Sequence, residues 1–205
     1  MALKTSSHSR RKLLMAARSS TAVSGPDLPP VWVLTDPERM PDPVVVAETL
    51  PRGWGMIYRH FGAPEKRGIS SQLRIATDQR NCWLLIAADP LLAFDVGADG
   101  VHWPEAFRRQ ARKWRGTFPI MTTSSHSPKA LRTASAAVFD GSICSTVFPS
   151  RSRSAGHPMG ETRFRVLARS AGLPVYGLGG VNSGTAGRIA RFAGLAMVDG
   201  GMSKA

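Results

Sequence analysis

From residue 31 onward, short apolar runs alternate with amphipathic stretches. Val31 to Asp36 is a β-rich run that ends in polar residues, and Pro41 to Leu50 predicts a short helix that Pro51, Arg52 and Gly53 break. Trp54 to Arg59 repeats the strand signal, Glu65 to Thr77 reads as a helix, and Cys82 to Ala88 is a strand with almost no polar residues. A strand of that kind is buried on both faces, as in a parallel sheet. The rhythm continues through strand Gly100–Trp103 and helix Glu105–Trp114, then strand Phe118–Thr122 and helix Ser127–Ser135, then strand Ala137–Phe139 running on into Ser142–Val147. Helix Met159–Ala171, strand Pro174–Leu178, helix Ser183–Phe192 and strand Leu195–Val198 complete the pattern.

About eight strands alternating with helices imply right-handed βαβ units, and eight such repeats closing on themselves imply an α/β fold, a compact (β/α)8 TIM barrel. An open doubly wound sheet is the alternative. The body, residues 30–205, is shorter than the ~250 residues usual for a barrel, so its loops must be short and its last helix absent or vestigial. No apolar run approaches the ~18 residues of a membrane helix, so no membrane partner is expected.

Of 27 Lys and Arg residues against 14 Asp and Glu, five (Lys4, Arg10, Arg11, Lys12 and Arg18) precede the first acid, Asp27. The segment 1–29 is rich in Ser, Thr, Ala and Arg and ends in a Gly25-to-Pro30 stretch with three prolines, which predicts a disordered basic tail and a stiff linker. A transit peptide and a nucleic-acid arm are the sharper alternatives, but no recognisable nucleic-acid motif accompanies the charge. Cys82 and Cys144 each sit in an apolar run, which points to two buried thiols in a reducing, cytoplasmic setting rather than a disulfide or a zinc site.

In a barrel the chemistry lies where strands run into their following loops. Those positions here include Thr35 and Asp36, Arg59 and His60, Asp89, Ser124 to Ser127, Pro149 to Arg153, Gly179 and Gly180, and Asp199 and Gly200. Gly179 and Gly180 follow a strand and open a predicted helix, which puts free backbone N–H groups at a positive helix end, as a phosphate site requires. Gly200 and Gly201 follow the next strand in the same way. Ser150, Arg151, Ser152, Arg153 and Ser154 offer hydroxyls and guanidiniums to an anionic oxygen cluster, although an exposed basic loop has the same composition.

Taken in order, Leu34-Thr35-Asp36, the Gly97-to-His102 block (Gly-Ala-Asp-Gly-Val-His), Ser124 to Ser127, the Val147-to-Arg153 loop with Gly160, the Pro174-to-Gly180 block and Gly194 to Val198 resemble the thiamine phosphate synthase/TenI superfamily. The resemblance runs from about residue 31 to 200. It implies a barrel of thiamine biosynthesis that binds thiazole phosphate. In the synthase branch, it implies joining that molecule to a pyrimidine pyrophosphate with magnesium.

The departures bear on which branch. The synthase pattern places Gln-x-Arg-x-Lys at a strand end, where this chain keeps Arg59 but has Ile57 and Phe61 in place of the Gln and Lys. Its Asn-Asp pair falls on Ala87 and Ala88, with Asp89 one place late, and its second metal-binding Asp falls near Phe107. Asp89 or Glu105 alone is a poor magnesium site, so magnesium is expected only if synthase chemistry is retained. The thiazole-phosphate end is better kept: Ser150 and Ser152 stand where the family carries Thr, Arg153 where it carries Lys, and Gly179 and Gly180 are present.

TenI proteins keep the barrel and move a proton on a thiazole phosphate carboxylate through a His after strand five, a position that His126 occupies here. A histidine pKa near 6.5 suits such a shuttle. The resemblance thus implies a TenI-like tautomerase, with an active synthase and a non-catalytic phosphate-ligand binder or regulator as the alternatives. His126, Arg59 and Ser124 are the expected catalytic residues. Ser150, Ser152, Arg153, Gly179, Gly180 and Gly200 are the expected phosphate ligands, and Asp89 is a weak metal candidate. His60 is a second proton-transfer candidate, Lys66 and Arg67, one loop further on, are candidates to replace the lost Lys, and His102, inside a strand, is expected to be a packed structural residue. Partners beyond the small molecule are left open to a homo-oligomer.

Overall fold

The computed structural model describes residues 7–25, 27–59, 62, 64–134, 136–152 and 155–198. Eight strands, β1 (Val31–Leu34), β2 (Gly55–Tyr58), β3 (Trp83–Ala87), β4 (Gly100–Trp103), β5 (Ile120–Ser125), β6 (Gly141–Ser145), β7 (Val175–Leu178) and β8 (Gly194–Val198), pair in parallel and in chain order. β8 returns to β1 in a register that runs from Val31 opposite Leu195 to Leu34 opposite Val198. That last pairing closes the barrel and excludes the open sheet.

Side-chain alternation sorts the strands into an inner and an outer layer. Trp32, Leu34, Ile57, Leu85, Ile120, Ile143, Tyr176 and Ala196 pack together inside. Val31, Val33, Met56, Leu84, Val101, Met121, Leu195 and Met197 face the helices. The Trp32 and Tyr176 rings meet edge to face at 6.4 Å, and the Tyr176 hydroxyl donates to Pro29 O at 2.8 Å. Glycine makes room for both rings. A Cβ on Gly55 would lie 2.1 Å from the Trp32 ring, and one on Gly194 would lie 2.2 Å from the Tyr176 ring.

The helices are α1 (Ser7–Ser24), α2 (Pro43–Thr49), α3 (Lys66–Gln79), α4 (Pro90–Asp95), α5 (Arg108–Ala111), α6 (Pro128–Thr133), α7 (Glu161–Ser170) and α8 (Ala186–Ile189). Three of them start in the same way. Asp42, Asp89 and Ser127 accept amide hydrogen bonds from the first turns of α2, α4 and α6, and a proline follows each cap. Cap and proline together fix a helix start. The sequence reading assigns no helix between β3 and β4, where the Asp89–Pro90 start signal produces α4.

Other expectations are corrected. The segment read as a disordered tail carries α1, which packs on β8 and α8 with Leu13, Ala16, Ala17, Ser20 and Ser24 buried and Arg10, Arg11, Lys12 and Arg18 exposed. Ser20 Oγ lies 3.0 Å from Ala193 O. Ala137 and Val138 lie in a turn rather than a strand, and Asp140 ends that turn by accepting from Met121 N at 2.7 Å while pairing with Arg115 at 2.8 Å. The helix expected from Glu105 to Trp114 is α5 between two single 3-10 turns. The helix expected from Ser183 shrinks to α8, because side chains take the preceding amides: Asn182 N donates to Thr185 Oγ1, and Gly184 N to Asn182 Oδ1. No helix among the described residues is long and apolar enough to cross a membrane.

Candidate functional site

The inward-facing positions change from apolar to polar toward the C-terminal mouth of the barrel. On β4 and β5 they are His102, Thr122 and Ser124, and Arg59 enters from the end of β2. Arg59 is anchored by β1: its Nε donates to Thr35 O at 2.6 Å, and its amide donates to Thr35 Oγ1 at 2.8 Å. Its Nη2 lies 3.9 Å from Asp36 Oδ2, which Arg39 also holds at 3.0 Å. Burial lowers the Arg59 pKa to about 10, against the pull of Asp36, which still leaves a cation at neutral pH. Burial favours a neutral Asp36, but the hydrogen bond and charge of Arg39, with the charge of Arg59, hold its carboxyl below the ordinary value.

His102 is buried, with Nδ1 at 2.8 Å from Thr122 Oγ1 and Nε2 at 2.9 Å from Ser124 Oγ. Burial, followed by the positive charges of Arg59 and His126, pushes its pKa down to about 3, so the ring is neutral and bridges the two hydroxyls. The expectation of a packed residue is met, and the same ring also holds Ser124.

This neutrality sets the acid stability. In the unfolded chain a histidine binds its proton near pH 6.5, whereas folded His102 resists protonation down to about 3. The unfolded state therefore binds more protons across that window, and stability falls as pH drops through it. The slope reaches ~1.4 kcal/mol per pH unit. Denaturant melts between pH 6.5 and 5.5, above most carboxylate titration, are expected to show this loss, and His102→Gln is expected to flatten it. An unchanged slope in the variant would assign the acid sensitivity elsewhere.

His126 follows β5 and is exposed at the mouth, its side chain retaining 59% of its accessible surface. One carboxylate oxygen, Glu105 Oε2, receives the His126 amide at 3.0 Å and lies 3.2 Å from its Nδ1. The preceding residues are clamped by Arg108, whose Nη2 donates to Ser124 O at 2.5 Å and Ser125 Oγ at 2.7 Å, while Nε donates to Thr123 Oγ1 at 2.9 Å. From the sequence Arg108 has no expected role, and Glu105 enters only as a poor metal ligand. An acid three residues past the His102 block was the available signal.

The loops after β6 and β7 form the adjoining wall. Phe148 N donates to Gly179 O at 3.0 Å and Val147 N to Leu178 O at 2.9 Å, so the two loops are laced together. Gly179 and Gly180 have φ of +94° and +64°. A Cβ on Gly180 would lie 2.4 Å from Pro149 O, so only glycine fits there. Ser152 N donates to Ser150 Oγ at 3.3 Å, which brings the two expected ligands together beside this wall. Their helix differs from expectation, since α8 begins six residues after Gly180 and is a single turn. Arg153 and Gly200, together with His60, lie outside the described residues.

Asp89 does not suit magnesium. Its Oδ2 lies 2.7 Å from Lys66 Nζ, and its Oδ1 caps α4 by accepting from Leu92 N at 3.0 Å. Among the described residues, no group of three or more His, Cys, Asp and Glu side chains could hold a metal ion. A hard divalent ion seeks several oxygen ligands, often including one or two carboxylates. Here Lys66 already supplies the positive charge.

A family model described as thiamine monophosphate synthase matches residues 36–200. A protein of Aquifex aeolicus named "Putative thiamine-phosphate synthase 2" is 26% identical over 161 residues, which is 76% of this chain and 87% of that one. The thiamine biosynthesis bifunctional protein ThiED of Geobacter sulfurreducens is 28% identical over 112 residues, 54% of this chain but only 23% of that longer protein. Among solved structures, a thiamine phosphate pyrophosphorylase from Pyrococcus furiosus shares the fold with a TM-score of 0.66 at 23% identity, covering 82% of this chain and 84% of that one. FabK from Thermotoga maritima shares the barrel with a TM-score of 0.60 at 17% identity, covering 82% of this chain and 57% of that one. With a match over most of its length and the closed eight-stranded barrel that such a match requires, the chain belongs to the thiamine phosphate synthase/TenI superfamily.

Proposed function

We propose that the protein is a TenI-like enzyme that moves a proton on a thiazole phosphate carboxylate. The observation that carries this reading is the contrast between two positions at the mouth. The remaining carboxylate of the metal position, Asp89, is occupied by Lys66, whereas His126 is exposed at the same C-terminal mouth that holds the anchored, cationic Arg59.

The roles follow from the chemistry of each group. The Gly179–Gly180 wall with Ser150 and Ser152, and Arg153 and Gly200 beyond the described residues, receives the phosphate through amides, hydroxyls and a guanidinium. Arg59, fixed by Thr35, neutralises the carboxylate and withdraws charge as the ring loses its proton. Ser124, held by His102, offers its hydroxyl to the substrate. His126 takes the proton from one carbon as the electron pair moves into the conjugated ring system, and then returns the proton at the other end. The net change is an isomerisation that needs no second substrate.

The test is turnover by the purified protein of the thiazole carboxylate tautomer without added metal, and separately of thiazole phosphate with pyrimidine pyrophosphate and magnesium. The first reaction is expected to proceed. Magnesium-dependent release of pyrophosphate in the second would overturn the reading in favour of a synthase. Thermal stabilisation by thiazole phosphate with neither turnover would assign a binding role.

A further inference from the structure

A carboxylate at hydrogen-bond distance from an imidazole nitrogen dictates which nitrogen carries the proton. Glu105 Oε2 lies 3.2 Å from His126 Nδ1 and, as an ionised carboxylate oxygen, can only accept. Nδ1 must therefore be the protonated nitrogen, and the lone pair of the neutral ring is confined to Nε2. The same oxygen accepts the His126 amide at 3.0 Å, so ring and backbone are tied to one point. An unconstrained imidazole would exchange tautomers and rotate.

We propose that Glu105 is a positioning residue that locks His126 as its Nδ1–H tautomer and so makes Nε2 the base of the reaction. The inference rests on the proton-transfer role proposed for His126. Glu105 is itself placed by the segment that follows β4, which grips the end of β5 twice. Glu105 holds residue 126, and Arg108, one turn further on, holds the Ser124 carbonyl and the Ser125 hydroxyl. The pair thus fixes the position of residue 126 and the rotation of its ring at the end of β5. A wrong tautomer presents an N–H where the reaction needs a lone pair.

The experiment compares the full-length protein with Glu105→Ala and Glu105→Gln. In ¹⁵N-detected imidazole spectra recorded in alkaline buffer, wild-type His126, assigned by its loss in His126→Asn, is expected to show the Nδ1–H pattern. Glu105→Ala is expected to move it toward the Nε2–H form. With the thiazole carboxylate tautomer as substrate, kcat is expected to fall about 10–100-fold in Glu105→Ala with KM within about twofold, as for loss of a residue that orients a reacting group. Glu105→Gln, whose amide oxygen still accepts from Nδ1–H, is expected to recover most of kcat and the tautomer. Both variants should melt within a few degrees of the wild type, because the Glu105 side chain is partly exposed and its contacts are with an exposed residue.

An Nε2–H pattern in the wild type, or a kcat unmoved by Glu105→Ala, overturns the positioning role even if the enzyme turns over. Absence of wild-type turnover overturns the functional reading instead, and the spectra then report the tautomer lock separately.

Discussion

Replacing His126 with alanine is expected to lower kcat for tautomer conversion by ~10²–10⁴, the usual range for loss of a general acid–base. That corresponds to ~3–5 kcal/mol of lost transition-state stabilisation. The side chain is mostly solvated and, among the described residues, its ring hydrogen-bonds a partly exposed carboxylate. Its removal should therefore shift stability by less than ~0.5 kcal/mol. The combination of a large loss in kcat with an unchanged melt separates a reacting group from a structural one. Binding of thiazole phosphate should persist, because the loops after β6 and β7 and Arg59 are untouched. A variant that retains full turnover would move the proton transfer to another group, and a non-catalytic role for the protein predicts that no assay responds to the substitution at all.

The second large effect is expected in the barrel wall. A Cβ on Gly100 would lie 1.7 Å from the Ile120 carbonyl oxygen and 2.7 Å from its carbon, both of them backbone atoms of the neighbouring strand. No rotamer change relieves a clash with backbone. β4 and β5 would have to separate where Gly100 pairs with Ile120, the first pair of a register that two residues on aligns His102 with Thr122. Gly100→Ala is therefore expected to cost ~3 kcal/mol or more, at or beyond the top of the range for overpacked cores, and to disturb the hydrogen bonds of His102 as the strands part. Gly68, in α3, is the internal control: nothing lies within 4 Å of its would-be Cβ. Gly68→Ala is expected to stabilise by up to ~1 kcal/mol through helix propensity. Urea unfolding of both variants checks the pair, and equal, small shifts would refute the close strand approach at Gly100.

Much of the fold was legible because parallel strands buried on both faces leave unbroken apolar runs, such as Trp83 to Ala87, between helical stretches. α1 was illegible for a physical reason. It buries Leu13 together with Ala16, Ala17, Ser20 and Ser24, at helical spacing but mostly with small side chains, so a hydrophobic periodicity search finds little. The basic residues on its exposed face then dominate the composition of the segment.

The strand-end positions of Arg59, His126, Gly179 and Gly180 were legible, because a motif fixed both residue and loop. The site was hidden where a side chain meets its neighbour across 15 or more residues of chain. Lys66 neutralising Asp89, Glu105 holding His126 and Arg108 gripping the end of β5 are all contacts of that kind. No spacing rule in one sequence encodes them.

The packing of α1 on β8 also bears on how the protein acquires its structure. Ser20 meets Ala193 across 173 positions of sequence, and β1 pairs only with β2 and β8. α1 therefore waits for β8, the described strand farthest from it along the chain, before its buried face is covered. Contacts of such separation slow folding, because the entropy of closing the loop must be met before they form. Synthesis at ~5–20 residues per second leaves the early strands without their closing neighbour for roughly ten seconds or more. During that interval Leu13 and the outer face of β1 are exposed together, which makes the nascent chain, rather than the finished barrel, the stage most in need of a chaperone.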